Sequence, residues 1–71
     1  MNIKKLQIPD TANLRDALLA IEENNYGLIF VYSREVRIIG VATDGDIRRK
    51  LLEGKKLTDS IKKCINKDFI W

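Results

Sequence analysis

The order of signals along this 71-residue chain predicts an α+β fold. We expect a strand-helix-strand-strand-helix domain with a short C-terminal helix or connector, its sheet packed on its helices. Three observations carry this reading. Apolar residues recur at helical spacing over residues 14–21 and then meet a stop. Two β-rich runs, 27–32 and 36–42, are separated by only Ser33-Arg34-Glu35. A second helical pattern opens directly from a polar turn at Thr43-Asp44-Gly45-Asp46.

In order, Ile3, Leu6 and Ile8 read as a short strand broken at Pro9, whose missing N–H suits a strand end. Asn13 is a candidate N-cap with Asp16 at the third helical position, and Leu14, Ala17, Leu18 and Ile21 follow at the helical period. Asn24, Asn25 and Gly27 stop that helix. Gly27 to Tyr32 is a continuous β-branched and aromatic run, expected to be a strand largely buried on both faces. Val36 to Ala42 is its hairpin partner, although the link lacks an Asn-Gly or Asp-Gly turn signal. From Asp44 a second helix is expected to turn Ile47, Leu51 and Leu52 inward and Arg48, Arg49, Lys50 and Glu53 outward, ending at Gly54. A third short helix is expected from Thr58 or Asp59, using Ile61, Cys64 and Ile65. Asn66-Lys67-Asp68 then turns into the apolar end Phe69-Ile70-Trp71.

The turn at 43–46 is where chemistry concentrates. Unsatisfied N–H groups at a helix N-terminus, with the helix dipole, favour an anion. Thr43 can donate to a phosphate oxygen, Gly45 allows close approach to the main chain, and Asp46 as an acceptor suits the paired hydroxyls of a ribose. Asp44 repels a phosphate unless it points away. The same Thr43-x-x-Asp46 spacing is also that of a capping box, with Asp in place of Glu or Gln. The two roles are compatible.

Composition narrows the classes. The chain is 45% apolar and 32% charged, as in a folded domain, and no run has the length of a membrane helix. MNIKKLQIPD lacks the apolar region of a signal peptide, so a cytoplasmic location is expected. At this size a single core is marginal and a partner is expected. There is no histidine and a single cysteine, which disfavours acid–base catalysis and zinc, excludes an internal disulfide, and makes Cys64 a small core residue.

The stretch IIGVATDGDIRRKLLEG resembles the Gly-hydrophobic-x-Thr-x-x-Asp signature of CBS domains, carried here by Gly40, Val41, Ala42, Thr43, Asp44, Gly45 and Asp46. QIPDTANLRDALLAIEENNYGLIFVYS is similar to the family's first strand, first helix and second strand, and LTDSIKKCINKDFI to the connector after its second helix. TDGDIRR resembles the variant found in CBS segments attached to sugar-nucleotide transferases and sugar-phosphate isomerases of surface-polysaccharide synthesis. The resemblance implies a regulatory module that binds an adenine nucleotide such as AMP or ATP and biases an attached enzyme without performing chemistry itself. By it, Thr43 meets phosphate, Asp46 meets the ribose hydroxyls, and Asp44 and Gly45 supply turn geometry. Gln7, Ile8, Tyr26 and Leu28 then flank the base. Such domains occur as tandem pairs. A single copy with an apolar end is expected to be a fragment of a longer protein, dimerising with a second chain through sheet or helix faces.

Three other readings compete. A purely structural dimerisation scaffold leaves Thr43 and Asp46 as caps only. Asp44-Gly45-Asp46 mimics the Asp-x-Asp opening of haloacid-dehalogenase phosphatases and of some glycosyltransferase metal sites, but the chain is too short for their remaining motifs. Basic doublets and a pI near 9.2 suggest nucleic acid, but no basic-aromatic stripe accompanies a charge of only +3. No nucleic-acid partner and no membrane are therefore expected.

Overall fold

A three-stranded sheet in the order β1-β2-β3 organises the chain in a computed structural model that describes residues 6–35 and 37–66. Strand β1 (Gln7–Pro9) runs parallel to β2 (Leu28–Tyr32), and β3 (Ile38–Thr43) returns antiparallel to it. Helix α1 (Leu14–Asn24) forms the crossover between β1 and β2, and α2 (Asp44–Leu52) leaves directly from β3. The expected α+β order is therefore present. Ile3, Val36, Lys67, Asp68 and the Phe69-Ile70-Trp71 end, all named above, lie outside the described residues.

Strand β1 is limited among the described residues to Gln7, Ile8 and Pro9, with Pro9 as its exposed last residue. Strand β2 corrects the expectation of burial on both faces. Ile29 and Val31 are fully buried, whereas Leu28, Phe30 and Tyr32 are half-buried. Strand side chains alternate between faces, and the residues opposite each other in the register keep that division. Ile8, Val31 and Gly40 share the buried face, while Gln7, Phe30 and Val41 share the more open one.

Both helices begin as the sequence indicates. The Asn13 Oδ1 accepts from the Asp16 N–H at 2.8 Å and the Asp16 carboxylate accepts from the Asn13 N–H at 3.2 Å, the reciprocal arrangement of a capping box. At the other end Asn25 adopts a left-handed conformation, φ 63°, and its N–H closes on the Ile21 carbonyl. Helix α2 turns Ile47 into the core and Leu51 against it. Leu52 is 89% exposed, contrary to expectation. It stands roughly 140° around the helix from Ile47, at 3.6 residues per turn.

The segment after α2 is a clasp rather than a third α-helix. Only Ile61–Lys63 coil, as a 3₁₀ turn capped by Ser60, because Lys56 and Asp59 first close a turn of their own. The Asp59 and Leu57 carbonyls accept from the Leu14 and Arg15 N–H groups at 3.0 and 3.1 Å, and the Ile61 N–H donates to Ala12 at 2.9 Å. The clasp thus satisfies helix-start donors that Asn13 leaves open. Ile61 is fully buried with Leu14, Ile29, Val31 and Ile47, each contributing about 1.5–3 kcal/mol by burial. Beyond it, Asn66 exchanges both backbone hydrogen bonds with Val41 on the outer edge of β3.

Candidate functional site

Thr43 is both the last residue of β3 and the N-cap of α2. Its extended backbone, φ −104° and ψ 161°, lets its Oγ1 accept from the Asp46 N–H at 3.0 Å, and Asp46 Oδ2 accepts from the Thr43 N–H at 3.4 Å. The return bond is long, so the Asp46 carboxylate is loosely held, with Arg49 at 3.7 Å as a second neighbour. Its side chain is 31% exposed and can exchange this partner for a ligand hydroxyl.

Asp44 does not oppose an anion on the open sheet face. Its carboxylate pairs with Arg48 at 2.9 Å, and both line a groove of about 380 Å³ between the helices, with Leu18, Glu22 and Gly27. Its N–H donates to the Gly27 carbonyl at 3.0 Å. Among the described residues this leaves the Gly45 N–H as the first-turn donor of α2 without an acceptor. Gly45 has no positive φ, and a Cβ there meets only Thr43 Oγ1 at 4.0 Å. The backbone therefore does not require this glycine, and the space beside it is open.

The Asp44–Gly27 bond ties the helix start to the loop before β2. Asn24, buried at the end of α1, shapes that loop by accepting from the Tyr26 N–H at 2.7 Å and donating to the Leu28 carbonyl at 3.1 Å. Tyr26 is held 56% exposed, and Leu28 sits directly opposite Thr43 in the register. Tyr26, Leu28, Thr43, Asp44, Gly45 and Asp46 are thus gathered at one end of the sheet. Gln7 stands one strand further across, opposite Phe30 on the open face. Ile8 is set apart: strand alternation turns its side chain into the core, where it is 8% exposed. As a sequence signal Asn24 marks only a helix stop; the Asn24-Asn25 pair ahead of Tyr26-Gly27 is the signal for its second task.

Cys64 lies behind this junction as a buried free thiol. Burial pushes its pKa up and the nearby Asp46 carboxylate adds to the effect, so it behaves as a core residue. Asp44 and Asp46 are engaged by different arginines. Among the described residues no group of three or more His, Cys, Asp or Glu side chains is placed to hold a metal ion.

The model of the CBS domain family matches residues 1–53. The chain belongs to the CBS domain family. Among curated proteins, the arabinose 5-phosphate isomerase GutQ of Escherichia coli is 36% identical over 59 residues, covering 83% of this chain and 18% of the isomerase. The Escherichia coli isomerase KdsD is 43% identical over 42 residues, covering 59% of this chain and 13% of that protein. This CBS chain therefore spans less than a fifth of either relative. A Pyrobaculum aerophilum CBS domain protein complexed with AMP superposes with a TM-score of 0.85 at 22% identity, covering 93% of this chain and 52% of that one. A Listeria monocytogenes protein in complex with c-di-AMP superposes with a TM-score of 0.83 at 21% identity, covering 99% and 57%. These likenesses establish the CBS fold, and each matched chain is about twice as long as the part this domain covers. No helix among the described residues is long and apolar enough to cross a membrane.

Proposed function

We propose that this CBS domain is a regulatory module that binds an adenine nucleotide at the β3–α2 junction and performs no chemistry itself. The observation that carries the proposal is the pairing of Thr43 and Asp46 beside Leu28 and the exposed Tyr26, with the Gly45 N–H open. In this reading the Thr43 hydroxyl and the Gly45 N–H donate to phosphate at the positive end of α2. Asp46 releases its 3.4 Å bond to accept from the ribose, and Leu28 and Tyr26 flank the base with Gln7 at the margin. Ile8 contributes packing beneath the sheet. AMP and c-di-AMP in the two superposable proteins support an adenine ligand.

The relatives support a reading of the output. We place this domain in control of an attached enzyme acting on sugar phosphates or sugar nucleotides in surface-polysaccharide metabolism, as the isomerase likeness suggests. The half-buried Leu28, Phe30 and Val41 form the face on which a second copy packs. A second reading, a dimerisation scaffold without ligand, is favoured by the capping box itself, which already gives Thr43 and Asp46 partners.

A thermal-shift titration separates the two. AMP, ADP or ATP at a hundred times its Kd adds about 2.7 kcal/mol, an upward shift on the order of ten degrees for a domain of this size, and GTP gives none. A folded chain unmoved by millimolar adenine nucleotide supports the scaffold.

A further inference from the structure

The far end of the sheet carries a second set of polar groups that the nucleotide reading does not use. A groove of about 580 Å³ opens there between the end of β1 and the β2–β3 connection, lined by Asp10, Thr11, Ser33, Arg34, Arg37 and Lys62 among others. Its size falls within the roughly 300–1,000 Å³ of small-molecule sites. It lies about 15 Å along β2 from Leu28, at some 3.3 Å per residue.

The charges in the groove are not equally committed. Lys62 holds Asp10 at 3.7 Å, and that carboxylate is mostly covered. Arg34 and Arg37 have no ion-pair partner among the described residues. Both lie in one closed turn, in which the Ser33 N–H donates to the Arg37 carbonyl at 2.8 Å. Glu35 is the one other carboxylate in the lining, leaving the groove net positive. Planar guanidiniums match a phosphoryl group with paired donors, the Thr11 and Ser33 hydroxyls add further donors, and Ile39 gives one apolar wall.

We propose that this groove is a second ligand site, which takes a small phosphate monoester by its phosphoryl group between Arg34 and Arg37. It is separate from the junction at Thr43 and does not depend on it.

The test titrates the ¹⁵N-labelled 71-residue chain with pyrophosphate at constant ionic strength, so that general screening is held fixed. Saturating shifts of the Thr11, Ser33, Arg34 and Arg37 amides are expected, whether or not those of Thr43 to Ile47 also move. An Arg34→Gln/Arg37→Gln double variant binds about tenfold more weakly or worse, the loss of charge-assisted hydrogen bonds, while its remaining spectrum shows the fold intact. Non-saturating shifts that chloride reproduces, or shifts confined to Thr43–Ile47, overturn the site. A glutamate hexapeptide binding as tightly as pyrophosphate also overturns it, by making the groove a docking surface for an acidic protein segment. A separate AMP titration read at the Thr43–Ile47 amides decides the nucleotide reading, so the two outcomes are distinguishable.

Discussion

Thr43 and Asp46 serve the fold through the same atoms that the proposed ligand requires, and substitution can separate the two duties. Removing the Thr43 hydroxyl in Thr43→Ala deletes the acceptor of the Asp46 N–H and is expected to cost about 1 kcal/mol, read as a lower urea midpoint with unchanged slope. Asp46→Gln behaves differently. Gln is a standard capping-box partner, so stability stays within about 0.5 kcal/mol of the parent, while the charged acceptor for a ribose is gone. At this scale the sequence was informative where chemistry and local geometry coincide, as in the Thr43-x-x-Asp46 spacing. It failed where orientation decides. Ile8 is turned inward by the parity of a three-residue strand, and Leu52 outward by its angle on α2. Gly45 has no backbone demand behind it.

At the scale of elements, the clasp of residues 55–66 explains two positions whose side chains gave little hint of their tasks. Gly40 belongs to the signature that carries the family resemblance, and its internal reason is now visible. A Cβ there meets the Asn66 carbonyl and the Ile65 Cβ, both at 3.1 Å, so the clasp crosses β3 only over a glycine. Gly40→Ala is expected to destabilise by about 1–3 kcal/mol through overpacking, measured by chemical denaturation. Asp59 is the second position. The Lys56 N–H bond holds its carboxyl below the usual carboxylate range, helped by the Lys63, Lys55 and Lys56 charges against a smaller desolvation effect. A carboxyl with a lowered folded pKa stabilises fully above its unfolded value, about 3.9, and that contribution drains away as the pH falls through the lowered value. Acid titration monitored by circular dichroism is expected to show a smaller loss of stability below pH about 4 in Asp59→Asn than in the parent. Helix periodicity and caps were legible because side chains encode them. The clasp was not, because its ties to Ala12, Leu14, Arg15 and Val41 are main-chain hydrogen bonds, which any residue can make.

Across the whole molecule, the sheet has one face closed by helices and another whose Leu28, Phe30 and Val41 are only half-covered. Reading β2 as buried on both faces recognised its apolarity but not that the chain's own helices cover only one side. In the proposed dimer, a second copy on the open face would complete that burial and bring two Thr43 junctions into one assembly. Phe30→Glu places a charge at the centre of this surface, where an unpaired buried charge is costly. It is expected to yield monomers by light scattering under conditions where the parent is dimeric, while circular dichroism shows the fold retained. Calorimetric titration of AMP into the parent chain and into Asp46→Gln side by side tests whether a nucleotide is held at the β3–α2 junction. Saturable binding to the parent is expected, with at least tenfold weaker binding to a variant of equal thermal stability, the loss of a charged hydrogen-bond acceptor. Equal affinity in both chains would contradict it.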